Sequence, residues 1–465
     1  AIVPQPNWRD DLRDFKKLGI PRLFFGVTAG NMDSMVNHYT AARRLRSNDA
    51  YTPEGRAGMR PDYAVTVYTR ILKQLYPDIP VIIGGIEASL RRLTHYDYWS
   101  DSLKQSVLAD SGADYLVYGM GERSITELAQ KIREHAPVSE IRKIRQIAYV
   151  ADHSGEIYSP SGKVLQLPSH QACRKSKRTF SEHFRIIEEH ANVYEPPVLA
   201  EPLDHPDGPT VVVNPPFPPM TASQLDAVYD LPFSYQAHPR YKGKKIPALE
   251  MIRFSVCLHR GCFGGCSFCT IAAHQGKEVS SRSRESVLKE ISRLSSLREF
   301  RGYLTDLGGP TANMYRMRGK NPEVCSACRR TSCLFPSVCR NLDTSHKPLL
   351  DLYEAVRALP GIKKATIGSG IRYDLFLSKE GFLDRDGKRY FETLLQYHVS
   401  GRLKVAPEHT QDNVLARMHK PSFDLYRVLA GAFREHIRNL DLKLQLIPYF
   451  ISSHPGCTQH DMNLL

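Results

Sequence analysis

Three cysteines stand close together in Gly261-Cys262-Phe263-Gly264-Gly265-Cys266-Ser267-Phe268-Cys269. Their spacing is Cys-x3-Cys-x2-Cys, and Gly264-Gly265 lets a short loop curl until the thiolates converge. Thiolates this near to one another hold iron–sulfur clusters, and three of them leave one iron of a four-iron cluster open. A zinc site would need a fourth ligand, for which Cys257, His259 and His274 stand nearby. A second group, Cys325, Cys328, Cys333 and Cys339, is spaced x2, x4 and x5 in a loop rich in arginine and lysine. Four thiolates close a site, which suits either an auxiliary iron–sulfur cluster or a structural zinc. An iron–sulfur reading of the neighbouring loop would favour the cluster here as well. Of the chain's ten cysteines, eight lie between 257 and 339. Bunching of this kind points to metal or redox chemistry, not to the disulfide framework of a secreted protein.

These groups need a scaffold, and the hydrophobic pattern supplies one. Short apolar runs at 22–27, 79–85 and 113–118 alternate with helical periodicity at 60–76, 103–110 and 124–135, which predicts a parallel, doubly wound sheet over residues 1–150. Gly84-Gly85 and Gly119-Met120-Gly121 follow strand ends, and Asp33, His38 and Asp97 are polar groups near them. Residues 151–247 are rich in turn formers, as in Asn214-Pro215-Pro216-Phe217-Pro218-Pro219, and read as a connecting segment with one helix near 178–189. From 248 to 465 strands are expected at 249–257, 301–307, 363–367, 403–406 and 443–450. Helices are expected between them at 283–297, 347–359, 381–398 and 412–439, the last broken near Pro421. Five such units fit part of a β/α barrel, with the first cysteine loop at the C-terminal end of its first strand, the face where barrels carry their active sites. The sequence opens at Ala1 without an initiator Met and stops soon after the fifth strand, so both ends are expected to lie inside a longer protein.

The loop with Phe268 before its third cysteine resembles the signature of the radical S-adenosylmethionine superfamily. Gly308-Gly309 resembles that superfamily's Gly-Gly-Glu turn, although Pro310 stands where the carboxylate would be. The phrases Leu23-Phe24-Phe25-Gly26-Val27-Thr28-Ala29-Gly30-Asn31, Gly84-Gly85-Ile86-Glu87-Ala88-Ser89, His259-Arg260-Gly261-Cys262 and Ile447-Pro448-Tyr449-Phe450 are similar to the YgiQ-type family over essentially the whole chain. The resemblance implies an α/β protein with an N-terminal doubly wound, cobalamin-binding-like sheet followed by a partial (β/α)6 barrel. It implies a 4Fe-4S cluster on Cys262, Cys266 and Cys269, with S-adenosylmethionine at the open iron. One electron, from a reductant protein such as flavodoxin or ferredoxin, would split the cofactor, and the radical formed would abstract hydrogen from a substrate. Phe268, Gly308, Gly309, Ser369, Arg372 and Glu408 are the positions expected to bind the cofactor; no side chain is singled out as a catalytic acid or base. Related domains bind cobalamin through an Asp-x-His-x-x-Gly loop, which this sequence lacks, so the sheet is expected to keep the fold without cobalamin.

Composition narrows the class further. Hydrophobic residues are 42% and charged residues 24%, a globular balance, and no apolar run is long enough to span a membrane. The expected location is the cytoplasm. A net charge of +14 fits a solvated basic surface or an anionic partner such as nucleic acid. Two other readings stay open. Methylthiotransferases that modify RNA or a ribosomal protein share part of the motif order, but their N-terminal domain holds its own three cysteines, where this chain has only Cys173. The non-enzymatic reading is a nucleic-acid-binding protein with both cysteine groups structural.

Overall fold

Val81-Ile82-Ile83 is too short and too β-branched for a helix, and it forms the buried strand Val81–Gly84, flanked in parallel by Phe25–Thr28 and Tyr115–Val117. The computed structural model describes residues 1–153, 157–191 and 193–465. These three strands form one side of a seven-stranded sheet that continues through Ile147–Ala151, Thr210–Val213, Val198–Pro202 and Val164–Gln166. The expected parallel, doubly wound sheet is therefore a mixed one. Ile147–Ala151 returns antiparallel to Tyr115–Val117, and Thr210–Val213 is antiparallel to both of its neighbours. The expected connecting segment also differs, since it contributes three of the seven strands. Thr210–Val213 is wholly buried, but its signal is only Thr-Val-Val-Val between Gly208-Pro209 and Asn214-Pro215, so the turn formers on either side masked it.

The polar residues near the first strand ends are engaged by the chain itself. Asp33 caps the helix Ser34–His38 by accepting from the backbone of Met35 and Val36, and it pairs with the buried Arg91. The Glu87 carboxylate accepts from Ser34 N at 2.7 Å and Val65 N at 3.0 Å. His38 meets Asp62 at 2.8 Å, and Asp97 accepts from the Tyr63 hydroxyl at 2.8 Å.

Two units make up the chain: Ala1–Pro218 with Gln236–Glu250, and Pro219–Tyr235 with Met251–Leu465. This corrects the expected boundary at 248. Residues 219–235 belong to the second unit because Asp226 accepts from Ser283 N at 3.0 Å, Asp230 pairs with Lys289 at 2.8 Å and the Tyr229 ring lies 4.0 Å from the Arg282 guanidinium carbon.

In the second unit short parallel strands pair in chain order: Ser255–Cys257 with Asp306–Gly308, Tyr303–Leu304 with Lys364–Ala365, and Arg402–Glu408 with Gln445–Phe450. The stretch expected to begin the first of these is helical instead, at Pro247–Ile252, where proline suits the opening turn of a helix. Helices Arg284–Ser295, Lys347–Arg357, Arg385–Thr393 and Phe423–Asn439 follow the strands, and their apolar faces meet them around Val256, Ile291, Leu304, Tyr353 and Phe391.

A π-helical turn, Leu394–His398, ends on a histidine whose Nδ1 donates to the Ala365 carbonyl at 2.7 Å. Burial lowers the pKa of His398 from 6.5 to about 4, and burial does the same to His346. Between those values the unfolded chain takes up protons that the folded chain excludes, so stability falls as pH drops from about 6.5 toward 4. Each histidine contributes up to about 3 kcal/mol of that loss. Urea unfolding followed from pH 7 to pH 4.5 should show the decline. In His398→Asn, whose amide can still donate to Ala365, the slope should be shallower.

Candidate metal and cofactor site

The loop 261–269 leaves the strand Ser255–Cys257 and is held by backbone contacts on three sides. Cys262 N donates to Gly276 O at 3.1 Å, Cys333 N donates to Phe263 O at 3.0 Å, and Ser267 N donates to Met418 O at 3.2 Å. Side chains add to these: Ser332 Oγ donates to Gly264 O at 2.7 Å, and His419 Nδ1 donates to Gly265 O at 2.9 Å. Such closeness leaves no room for a Cβ at two of the loop's glycines. Gly261 and Gly265 both have positive φ, and a Cβ would fall 1.9 Å from Glu278 O and 2.6 Å from Thr331 O respectively.

Two of the three expected thiols flank Gly264. A Cβ there would stand 3.4 Å from Cys262 Sγ and 3.9 Å from Cys266 Sγ, so the glycine keeps a cradle between the two sulfurs open. Cys269 lies within electrostatic reach of both, and burial pushes its thiol up. Among the described residues no three His, Cys, Asp or Glu side chains converge on a single ion. Three thiols in one short loop are a donor set that suits an iron–sulfur cluster with one open iron.

Arg372 is buried against this loop. Its Nε donates to Asp374 Oδ1 at 2.8 Å, its Nη2 donates to Asp374 Oδ2 at 2.5 Å, and Nη1 reaches Cys266 Sγ at 3.3 Å. Burial alone would disfavour the charge, but the Asp374 carboxylate outweighs it and holds the guanidinium charged. Lys420 is buried on the same side and meets Glu408 at 3.5 Å. Burial pushes the Lys420 ammonium down and the Glu408 carboxyl up. Glu408 ends its strand with φ +73°, a left-handed backbone uncommon for a glutamate and a mark of local constraint.

The other expected positions are placed as follows. Gly308 and Gly309 end the strand beside Cys257, and a Cβ on Gly309 would strike the His259 ring at 2.6 Å. Ser369 is held by Asp306, which accepts from its hydroxyl and from Gly368 N at 2.9 Å. Phe268 is partly exposed, with its ring edge-to-face against His454 at 6.4 Å. Asp306, Asp374, Lys420 and His419 were not foreseen. Only Asp374 carried a local signal, as the third residue of Arg372-Tyr373-Asp374.

Removing one partner of a buried, hydrogen-bonded ion pair leaves an uncompensated charge. Arg372→Met should therefore lower stability by about 3–5 kcal/mol. The double variant Arg372→Met/Asp374→Leu should regain much of that loss, as read from denaturant midpoints.

A family model described as Radical SAM N-terminal matches residues 1–255, close to the end of the first unit at Glu250. A UPF0313 protein of Bacteroides thetaiotaomicron is 55% identical over 475 residues, covering 99% of this chain and 76% of that protein. The UPF0313 protein YgiQ of Escherichia coli K12 is 42% identical over 515 residues, covering 99% and 68%. Two solved structures of TsrM, a radical S-adenosylmethionine methyltransferase from Kitasatospora setae, share 15% identity with this chain. One has cobalamin and a 4Fe-4S cluster bound; the alignment has a TM-score of 0.45 and covers 95% of this chain and 59% of that one. The other has tryptophan substrate and the analogue aza-SAM bound; its TM-score is 0.48 and it covers 98% and 62%. Likeness at that level carries no argument about what this chain binds. The family match and the close relatives do decide membership: the chain belongs to the UPF0313, YgiQ-type family of radical S-adenosylmethionine proteins and is an enzyme of that superfamily.

Proposed function

We propose that the chain holds a 4Fe-4S cluster on Cys262, Cys266 and Cys269 and uses it to cleave S-adenosylmethionine reductively, so that a hydrogen atom is abstracted from its substrate. The observation that carries this reading is the pair of thiols, Cys262 and Cys266, flanking the Gly264 cradle, with Cys269 in electrostatic reach of both and the Arg372 guanidinium on Cys266. When bound, such a cluster offers an open iron to the cofactor's amino and carboxylate groups and passes on the electron that releases methionine and a 5′-deoxyadenosyl radical.

The chain's own groups bind, orient and balance charge. Arg372 donates to a thiolate and offsets negative charge on the loop, which makes the site easier to reduce. Gly308 and Gly309 bare the backbone at a strand end, where the cofactor's methionine portion can approach closely, and the lack of a carboxylate at Pro310 leaves that contact to carbonyl oxygens. Ser369, set by Asp306, and Glu408, set by Lys420, are the polar groups for the ribose. Phe268 offers an aromatic face beside the third cysteine. A flavodoxin or ferredoxin supplies the electron. The reading includes no cobalamin, in keeping with the lack of an Asp-x-His-x-x-Gly loop in the sequence.

Anaerobically purified protein, reduced with dithionite, should convert S-adenosylmethionine slowly into 5′-deoxyadenosine without substrate. Cys266→Ala should abolish this, because two thiolates cannot hold the cluster. Arg372→Lys keeps the charge but loses the forked contact with Asp374, and should slow the reaction by about 10–100-fold. Cluster-loaded protein that binds S-adenosylmethionine yet forms no deoxyadenosine would overturn the proposal.

A further inference from the structure

The radical reaction has no use for the second cysteine group, yet the structure builds it with care. The turn after helix Pro322–Ser326 brings Cys328 N onto Cys325 O at 3.1 Å, and Cys339 N donates to Cys333 O at 2.7 Å, which folds the two halves of the loop together. Cys333 and Cys339 pack against one apolar cluster, and Cys325 and Cys328 lie within electrostatic reach of Cys333. All four are free thiols. Two N–H groups already point at the sulfurs: Asn341 Nδ2 donates to Cys325 Sγ at 3.3 Å, and the Arg330 backbone donates to Cys328 Sγ at 3.4 Å. Donors aimed at sulfur are the hydrogen bonds that metal-bound thiolates accept. Gly319 completes the enclosure, since a Cβ there would stand 2.2 Å from Cys325 Sγ.

We infer that Cys325, Cys328, Cys333 and Cys339 bind a second, closed iron–sulfur cluster, whose work is to hold the loop 261–269 in place. The loop packs against the one for which iron–sulfur assembly is proposed, so a chain supplied with iron and sulfide there favours a cluster over zinc here. The bracing role follows from the contacts at the centre of this loop: Ser332 Oγ binds Gly264 O, Cys333 N binds Phe263 O, and the Gly265 backbone lies against Thr331 and Ser332. Cys333 and Cys339 also pack with Cys262 against Phe263, Met314 and Leu342. With four protein ligands the second cluster has no position for S-adenosylmethionine, so the inference stands or falls independently of radical chemistry at the first.

The test uses the whole protein with Cys262, Cys266 and Cys269 all replaced by Ala. After anaerobic reconstitution with iron and sulfide, this variant should retain about four iron and four sulfide per chain. A variant with Cys325, Cys328, Cys333 and Cys339 all replaced by Ser should lose that second complement. Iron-free triple variant, or zinc at one per chain in its place, would overturn the inference. Because either variant could misfold, the unaltered protein gives an independent reading. Its dithionite-reduced electron paramagnetic resonance spectrum should contain two cluster signals, of which S-adenosylmethionine shifts one and leaves the other unchanged. A single signal that moves entirely with the cofactor would refute the second cluster.

Discussion

A buried cation next to a thiolate is the constraint around which the second unit is arranged. The thiols of Cys262, Cys266 and Cys269 lie in a partly dry loop, where any negative charge they carry is costly unless paired. Arg372 supplies the opposite sign, and Asp374 keeps it charged where burial would oppose it. The geometry follows from the guanidinium itself. Its planar fork spends one edge on the carboxylate and still has Nη1 free to meet Cys266, a division of labour that a lysine ammonium cannot reproduce. Lys420 adds a second buried cation nearby, with Glu408 as its counter-ion.

Around that pair, position is set by backbone rather than by side chains. The loop 261–269 presents its carbonyls and amides to three segments far apart in the chain, near 276, 332 and 418. The approaches to 278 and to 331–332 are close enough to exclude a Cβ, which is why glycine stands at 261 and 265. Rigid placement of ligands before any cofactor arrives lowers the entropy lost on binding.

The clustering of the cysteines was legible in the sequence, because residue type and spacing over nine positions already describe the loop. Gly308, Gly309, Ser369, Arg372 and Glu408 were visible only as polar or small residues just beyond strands. Their partners were not. Asp306 holds a serine 63 residues away, and His419 meets a carbonyl 154 residues away, relations that only tertiary packing creates. The sheet shows the same limit. The strands within 22–27, 79–85 and 113–118, with their flanking helices, were visible, whereas Val164–Gln166 and Thr210–Val213 owe their place to neighbours that complete their hydrogen bonds.

The interleaving of the two units bears on the order in which the protein is made. Residues 219–235 belong to the second unit, yet Gln236–Glu250 returns to the first, where Ala248 N bonds Ala50 O at 2.8 Å and Lys245 N bonds Glu54 at 2.8 Å. A ribosome that has released Pro218 has therefore not yet released the strap that covers residues 50–54. At ordinary elongation speeds the remaining 32 residues (218 to 250) take roughly two to six seconds, long compared with the folding of a small domain. During that interval the first unit lacks its own last segment, and the Ala50 carbonyl and the Glu54 carboxylate wait for the partners that segment brings.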